Sequence, residues 1–329
     1  MRRWKLLLAA LCVLLLCGCG DQKRITGRVL SFAQGTLTVQ TEKGKTYDFL
    51  VDSQETSIFD LVTIHGEKPL DSDCRVDVNW TRKQGKRYAE FIWIDARLQR
   101  DALQLSDGTS IDLWEYNGYR DYCLKDGTIL LMEETPVWPD AASRWDELLY
   151  SEDFPEAAQQ GIRAYYKEMG LRYDIPTLLE DAWLVYGLSE EYNAKLVGQH
   201  VGIEAWNDRI ICCQMNLTIP QERTNGYADY FCEGAVFDRE TGEGISNFDL
   251  FTLAPEELEA YLLDFLDNEN IQLNLQPEQI LLCRDGTIAF FLVDRTEGNY
   301  SGMLHAVLSP EQAREILHPW AVIEPENNS

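Results

Sequence analysis

Histidine and basic residues are scarce in this chain. Four His occur among 329 residues, and 29 Lys+Arg stand against 55 Asp+Glu, for a formal net charge of −26. A phosphate backbone is bound by releasing its counterions to a Lys/Arg surface, so this balance disfavours nucleic acid, and no nucleic-acid partner is expected. His65, His200, His305 and His318 form no HExxH, HxxxH or HxH, and the usual helical zinc sites are therefore missing. CxxC does not occur, which argues against a zinc ribbon or a thioredoxin-type site. Neither GxSxG, SxxK nor a Walker A motif is present. No catalytic residue, metal site or cofactor is assigned from the sequence.

Long apolar runs are also missing. The longest, Leu6 to Leu16, has 11 residues, well short of the roughly 20 that a membrane-spanning helix needs. Arg2, Arg3 and Lys5 precede it, and the pattern predicts a secretory signal at residues 1–18. The rest can bury a real core, because 45% of the chain is apolar and 11% aromatic. Its length suggests two domains.

The segment Leu16-Cys17-Gly18-Cys19 resembles the lipobox of bacterial lipoproteins. The resemblance implies that Cys19 receives a thioether-linked diacylglycerol, gains a palmitate-type acyl chain and becomes the mature N-terminus. Acyl chains hold a protein on a membrane at about 0.8 kcal/mol per buried CH₂. The expected location is the extracytoplasmic face of the cell membrane, with residues 19–23 as a lipidated tether. Loss of residues 1–18 removes three positive charges and leaves the mature chain at −29.

Six further cysteines remain: Cys74, Cys123, Cys212, Cys213, Cys232 and Cys283. An exported chain could pair them in three disulfides. Cys212 and Cys213 lie side by side in a strand-like run, so they face opposite ways. The expectation is zero or one disulfide, with most thiols buried as small apolar groups.

Residues 24–100 read as short strands at 28–32, 35–41, 46–51, 74–80 and 89–94, separated by Gly-containing turns. This predicts a small β-barrel, OB-like in strand order. Residues 101–150 read as a β-hairpin connecting region. Three Asp-Gly-Thr turns (Asp107-Gly108-Thr109, Asp126-Gly127-Thr128, Asp285-Gly286-Thr287) each lead into a strand. Residues 151–329 mix helices at Phe154–Met169, Pro255–Leu266 and Pro310–Leu317 with strands at 195–204, 209–219, 227–238, 279–283 and 288–293. The class is α+β: a small N-terminal barrel, then a larger α+β domain with an antiparallel sheet and a few helices.

Charge divides along the same lines. Residues 24–100 hold 12 Lys/Arg and 11 Asp/Glu, whereas residues 101–329 hold 13 and 43. A near-neutral module beside an anionic membrane surface, with an acidic module beyond it, reduces repulsion from that surface. A solvated acidic surface gives the same numbers.

Within residues 227–252, the pattern Val236-Phe237-Asp238, Thr241-Gly242, Ile245 and Asp249-Leu250-Phe251 is followed by a helix from Pro255. It resembles an extracytoplasmic domain of unknown function found in a lysozyme-sensing anti-sigma factor and in a peptidoglycan deacetylase. Asn247 stands where that pattern has an aliphatic residue. Asp238, Thr241, Gly242, Asp249, Leu250 and Phe251 match, and each has a structural explanation in turn formation or packing. The resemblance implies a fold, a compartment and binding as the task; it transfers no catalytic residue. No sigma-binding segment precedes the signal, so the anti-sigma role itself is not expected.

Trp114, Tyr116, Tyr119 and Tyr122 cluster with Asp112, Glu115 and Asp121. Aromatics beside acids suit a glycan or protein surface, and equally suit strands covering a core. Adjacent carboxylates occur at Glu133-Glu134, Glu190-Glu191 and Glu256-Glu257, and acidic and amide residues gather at Asp264–Asn270. These readings predict a non-enzymatic, membrane-anchored binding module for a cationic protein or peptide, a lysozyme-like protein among them, or for another envelope ligand. The alternative is a cell-wall glycan-acting envelope enzyme that uses carboxylates.

Overall fold

The computed structural model describes residues 23–62, 70–134, 154–267, 273–293 and 303–325. Cys19, His65 and the end of the Asp264–Asn270 segment lie outside them. The chain is α+β and divides into two compact units, Met1–Gly127 and Thr128–Ser329.

The first unit holds strands β1 (Lys23–Ala33), β2 (Thr36–Gln40), β3 (Thr46–Leu50), β4 (Ser57–Asp60), β5 (Cys74–Lys83), β6 (Lys86–Gln104), β7 (Ser110–Tyr116) and β8 (Tyr119–Cys123). Strand β6 runs through residue 100 without a break. β1, β2 and β3 form an antiparallel meander. β3 then pairs parallel with β6, β6 pairs antiparallel with β5, and β5 returns to β1. Alternation along these strands turns Val29, Leu37, Val39, Phe49, Val76, Val78, Ile92 and Ile94 inward, with none more than 1% exposed. β4, which the sequence does not announce, runs parallel to β6. Its Phe59 joins Phe91 and Trp93 in a stacked aromatic row.

The second unit carries β9 (Ile129–Glu134), helices α1 (Glu156–Met169) and α2 (Ile175–Leu188), β10 (Lys195–Trp206), β11 (Ile210–Pro220), β12 (Ala228–Asp238), β13 (Gly244–Ile245), α3 (Pro255–Leu266), β14 (Ile280–Leu282), β15 (Ile288–Val293), β16 (Met303–Leu308) and α4 (Pro310–Ile316). β10 to β13 pair antiparallel in order, and β9 joins β10 in parallel. A second antiparallel sheet is built from β14, β15 and β16.

The main sheet is apolar on both faces. On one, Ile211, Cys213, Met215 and Phe237 pack with Ala158, Ile162 and Tyr166 of α1. On the other, Ile210, Cys212 and Val236 pack with Leu258 and Leu262 of α3 and with Phe290 and Leu308 of the small sheet. Cys212 and Cys213 thus enter different cores, as strand alternation requires. No disulfide joins the described cysteines. Burial alone pushes the Cys213 thiol up to about 12, outweighing its hydrogen bond with Tyr166.

Gly108, Gly127 and Gly286, at the centres of the three Asp-Gly-Thr turns, all have positive φ. Helix α2 and strand β16 are additions to the sequence reading. Among the described residues, no helix is long and apolar enough to cross a membrane.

Candidate binding site

The aromatic hairpin of β7 and β8 separates its four candidate residues. Direct cross-strand partners share a face. Tyr116 faces Tyr119, and Trp114 faces Asp121, on one side. Leu113 faces Tyr122 on the other side, where Tyr122 is only 4% exposed. Tyr122 is therefore a core residue, and Trp114, Tyr116 and Tyr119 form the remaining cluster. The Tyr116 and Tyr119 rings stack at 4.3 Å, and the Arg75 guanidinium lies 4.9 Å over Tyr116. Arg75 is held there by Asp95 at 3.1 Å. Asp121, 7% exposed, sits behind the rings, and its Oδ1 has no hydrogen-bond partner among the described residues. Burial raises its pKa, and the Tyr116 phenol only partly offsets this.

Elsewhere in the first unit, a cavity of about 400 Å³ is lined by Asp71, Asp73, Arg97, Leu98, Arg100 and Glu115. Arg100 and Arg28 both reach Asp73.

In the matched motif of the second unit, Asp238, Thr241 and Gly242 hold a turn and Leu250 and Phe251 pack. Asp238 Oδ1 accepts from the amides of Glu240 and Thr241 at 3.0 and 2.9 Å and from the Thr241 hydroxyl at 3.0 Å. The Thr241 amide bond, chief among these, holds the Asp238 carboxyl below its usual range. Gly242 has φ +72°, and an added Cβ would lie 2.4 Å from the Ala158 carbonyl of α1. Leu250 and Phe251 are buried, and the Leu250 carbonyl accepts from His318. Asp249 is exposed.

Asn247 is the motif's most informative position. It is 3% exposed, and its Nδ2 donates to the carbonyls of Gly234, Pro277 and Ile280 at 3.1, 2.8 and 2.9 Å. An aliphatic residue could not satisfy these groups. Asn247 joins the edge of β12 to the turn before β14, beside a cavity of about 300 Å³ lined by Tyr165, Phe237, Ile245, Ser246 and Glu278.

Two of the three adjacent carboxylate pairs are drawn to different partners. Glu133 and Glu134 are consecutive on β9 and face opposite ways. Glu133 is buried and accepts from the Tyr173 hydroxyl, whereas Glu134 meets His200 Nε2 at 2.8 Å. Glu257 accepts from the Ala254 amide and caps α3. Sequence reasoning missed Lys195, whose buried ammonium bonds Asp181 at 2.6 Å and the Gln221 carbonyl at 2.8 Å. Nothing in a strand-like run distinguishes such a lysine from an exposed one.

No protein-family model matches the chain, and no curated protein matches it. A crystal structure of a DUF3298 family protein from Pseudomonas aeruginosa PAO1 is similar to it with 11% identity and a TM-score of 0.29, over 70% of this chain and 95% of that one. At that score the likeness is too distant to transfer a fold or a function.

Proposed function

We propose that the mature protein is a lipid-anchored extracytoplasmic binding module for a cationic protein or peptide. The observation that carries this is the charge of the second unit, where residues 128–329 hold 37 Asp/Glu against 11 Lys/Arg. Such a field accelerates encounter with a basic partner and repels acidic ones. The signal and the lipobox-like residues around Cys19 support the anchoring. The ring of pairings from β1 through β2, β3, β6 and β5 back to β1 supports a small OB-like barrel in the first unit. Trp114, Tyr116 and Tyr119 offer that unit a stacking surface for an envelope ligand.

Calorimetry with lysozyme as a basic probe tests the binding. Binding at 50 mM salt that weakens at least about tenfold by 500 mM is expected. No binding, or binding indifferent to salt, would refute the electrostatic reading. Palmitate labelling that survives Cys19→Ser would refute the anchor. Turnover of muropeptides by the purified protein would favour the enzyme.

A further inference from the structure

We infer that the outer edge of β12, from Ala228 to Cys232, is the docking site for an extended segment of a cationic partner, which adds to the sheet as one more strand. This rests on the reading of the chain as a module for a basic partner.

Strand β12 pairs with β11 along its whole length, Ala228 to Asp238, without a register shift. On its other side β13 covers only Val236 and Phe237. The Asp238 amide donates to Glu243 on that outer side, and the Gly234 carbonyl accepts from Asn247 there. Backbone groups alternate in direction along a strand. Even-numbered residues therefore point outward, and Ala228, Tyr230 and Cys232 present their amides and carbonyls along the edge. Among the described residues no strand pairs with this stretch. Tyr227 and Tyr230 beside it are 70% and 63% exposed. An open edge with exposed aromatics is a template for strand addition, and exported proteins ordinarily blunt such edges with lysine or proline. Neither residue occurs between Ala228 and Asp238.

Charge decides the occupant. Residues 221–251 contain seven Asp/Glu and two Arg. Asp229 and Glu233 share one face of β12, where Arg172 reaches Glu233 at 3.2 Å. Asp229, exposed on that face, accepts from the Gln221 side-chain amide and has no basic partner among the described residues. A second copy pairing antiparallel about Phe231 would set Asp229 against Glu233 twice, which like charges disfavour. A peptide alternating Lys with an apolar residue fits: Lys falls on the Asp229 and Glu233 face, and the apolar side chains fall beside Tyr230.

The test uses the mature protein with an acetylated ten-residue peptide alternating Lys and Val, its Glu-for-Lys twin, and lysozyme. Expected are binding of lysozyme and of the Lys peptide but not of its Glu twin, hydrogen-exchange protection of the Tyr230 and Cys232 amides, and loss of at least about tenfold in peptide affinity in Tyr230→Pro. That variant removes one outward amide, and exposed edges tolerate proline; an unchanged circular dichroism spectrum and melting temperature confirm its fold. Tyr230→Lys, which keeps the amide but adds a like charge for the peptide, should weaken binding as well. Lysozyme binding without protection of these amides, or peptide binding unaffected by both variants, overturns this inference and leaves the wider reading standing. Failure of both basic probes overturns the two together. Protection of the edge by self-association, without peptide, assigns it to a second copy and also overturns the inference.

Discussion

At the residue scale, two buried polar groups carry opposite lessons. Asn247 is fully used, with three carbonyls depending on its one amide. Asn247→Leu should cost about 2–4 kcal/mol in urea unfolding, because buried acceptors left unsatisfied lose their full solvation. A loss below about 1 kcal/mol would mean that water replaces the amide. Asp121 is under-used, and burial raises its carboxyl pKa. Its contribution is therefore present below the unfolded carboxylate range and is lost as pH rises through the raised folded value. Asp121→Asn should raise the melting temperature at pH 7 and change it little at pH 4. Equal effects at both pH values would contradict the assignment.

At the element scale, the helices differ in how openly they announce themselves. Pro255–Leu266 carries proline in its first turn, acids beside it and an apolar face, and it forms over those residues. α2 was missed, although Asp174 followed by Pro176 is a start signal: Asp174 accepts from the Thr177 amide at 3.0 Å and from its hydroxyl at 2.7 Å. Its sequence is apolar nearly all round, which hides the periodicity that reveals α1. Asp174→Ala should cost about 1 kcal/mol, read as a shift in the urea midpoint. The strand signals of β10, β11 and β12 were legible in their β-branched and aromatic content, with ends within two residues. β4 and the parallel pairing of β9 with β10 were not, because parallel partners leave no turn between them to read.

At the scale of the molecule, the first unit has one apolar core and the second has one on each face of its main sheet, and none of these is shared between units. Two separately cored units predict two unfolding transitions in calorimetry, and Asn247→Leu should lower only the one belonging to residues 128–329. Movement of both by the same amount would show a single cooperative body. Of the candidate surface residues, the chemistry was legible but the grouping was not. Trp114, Tyr116, Tyr119 and Tyr122 are neighbours in sequence, yet the hairpin register sends Tyr122 to the core and keeps the others together.

The sequence by itself determined the class of elements, the turn positions and the uneven charge. These follow from local propensity, from glycine's access to positive φ and from composition, none of which needs a partner in space. Only the tertiary structure decided that the Asp238-to-Phe251 motif is a clasp between α1, β12 and α4. It alone made Asn247 a buried staple and Lys195 an internal ion, and left Ala228 to Cys232 of β12 unpaired on one side among the described residues. Those roles depend on which carbonyls, carboxylates and strand edges meet across long stretches of chain, and side-chain identity along the chain does not encode that meeting.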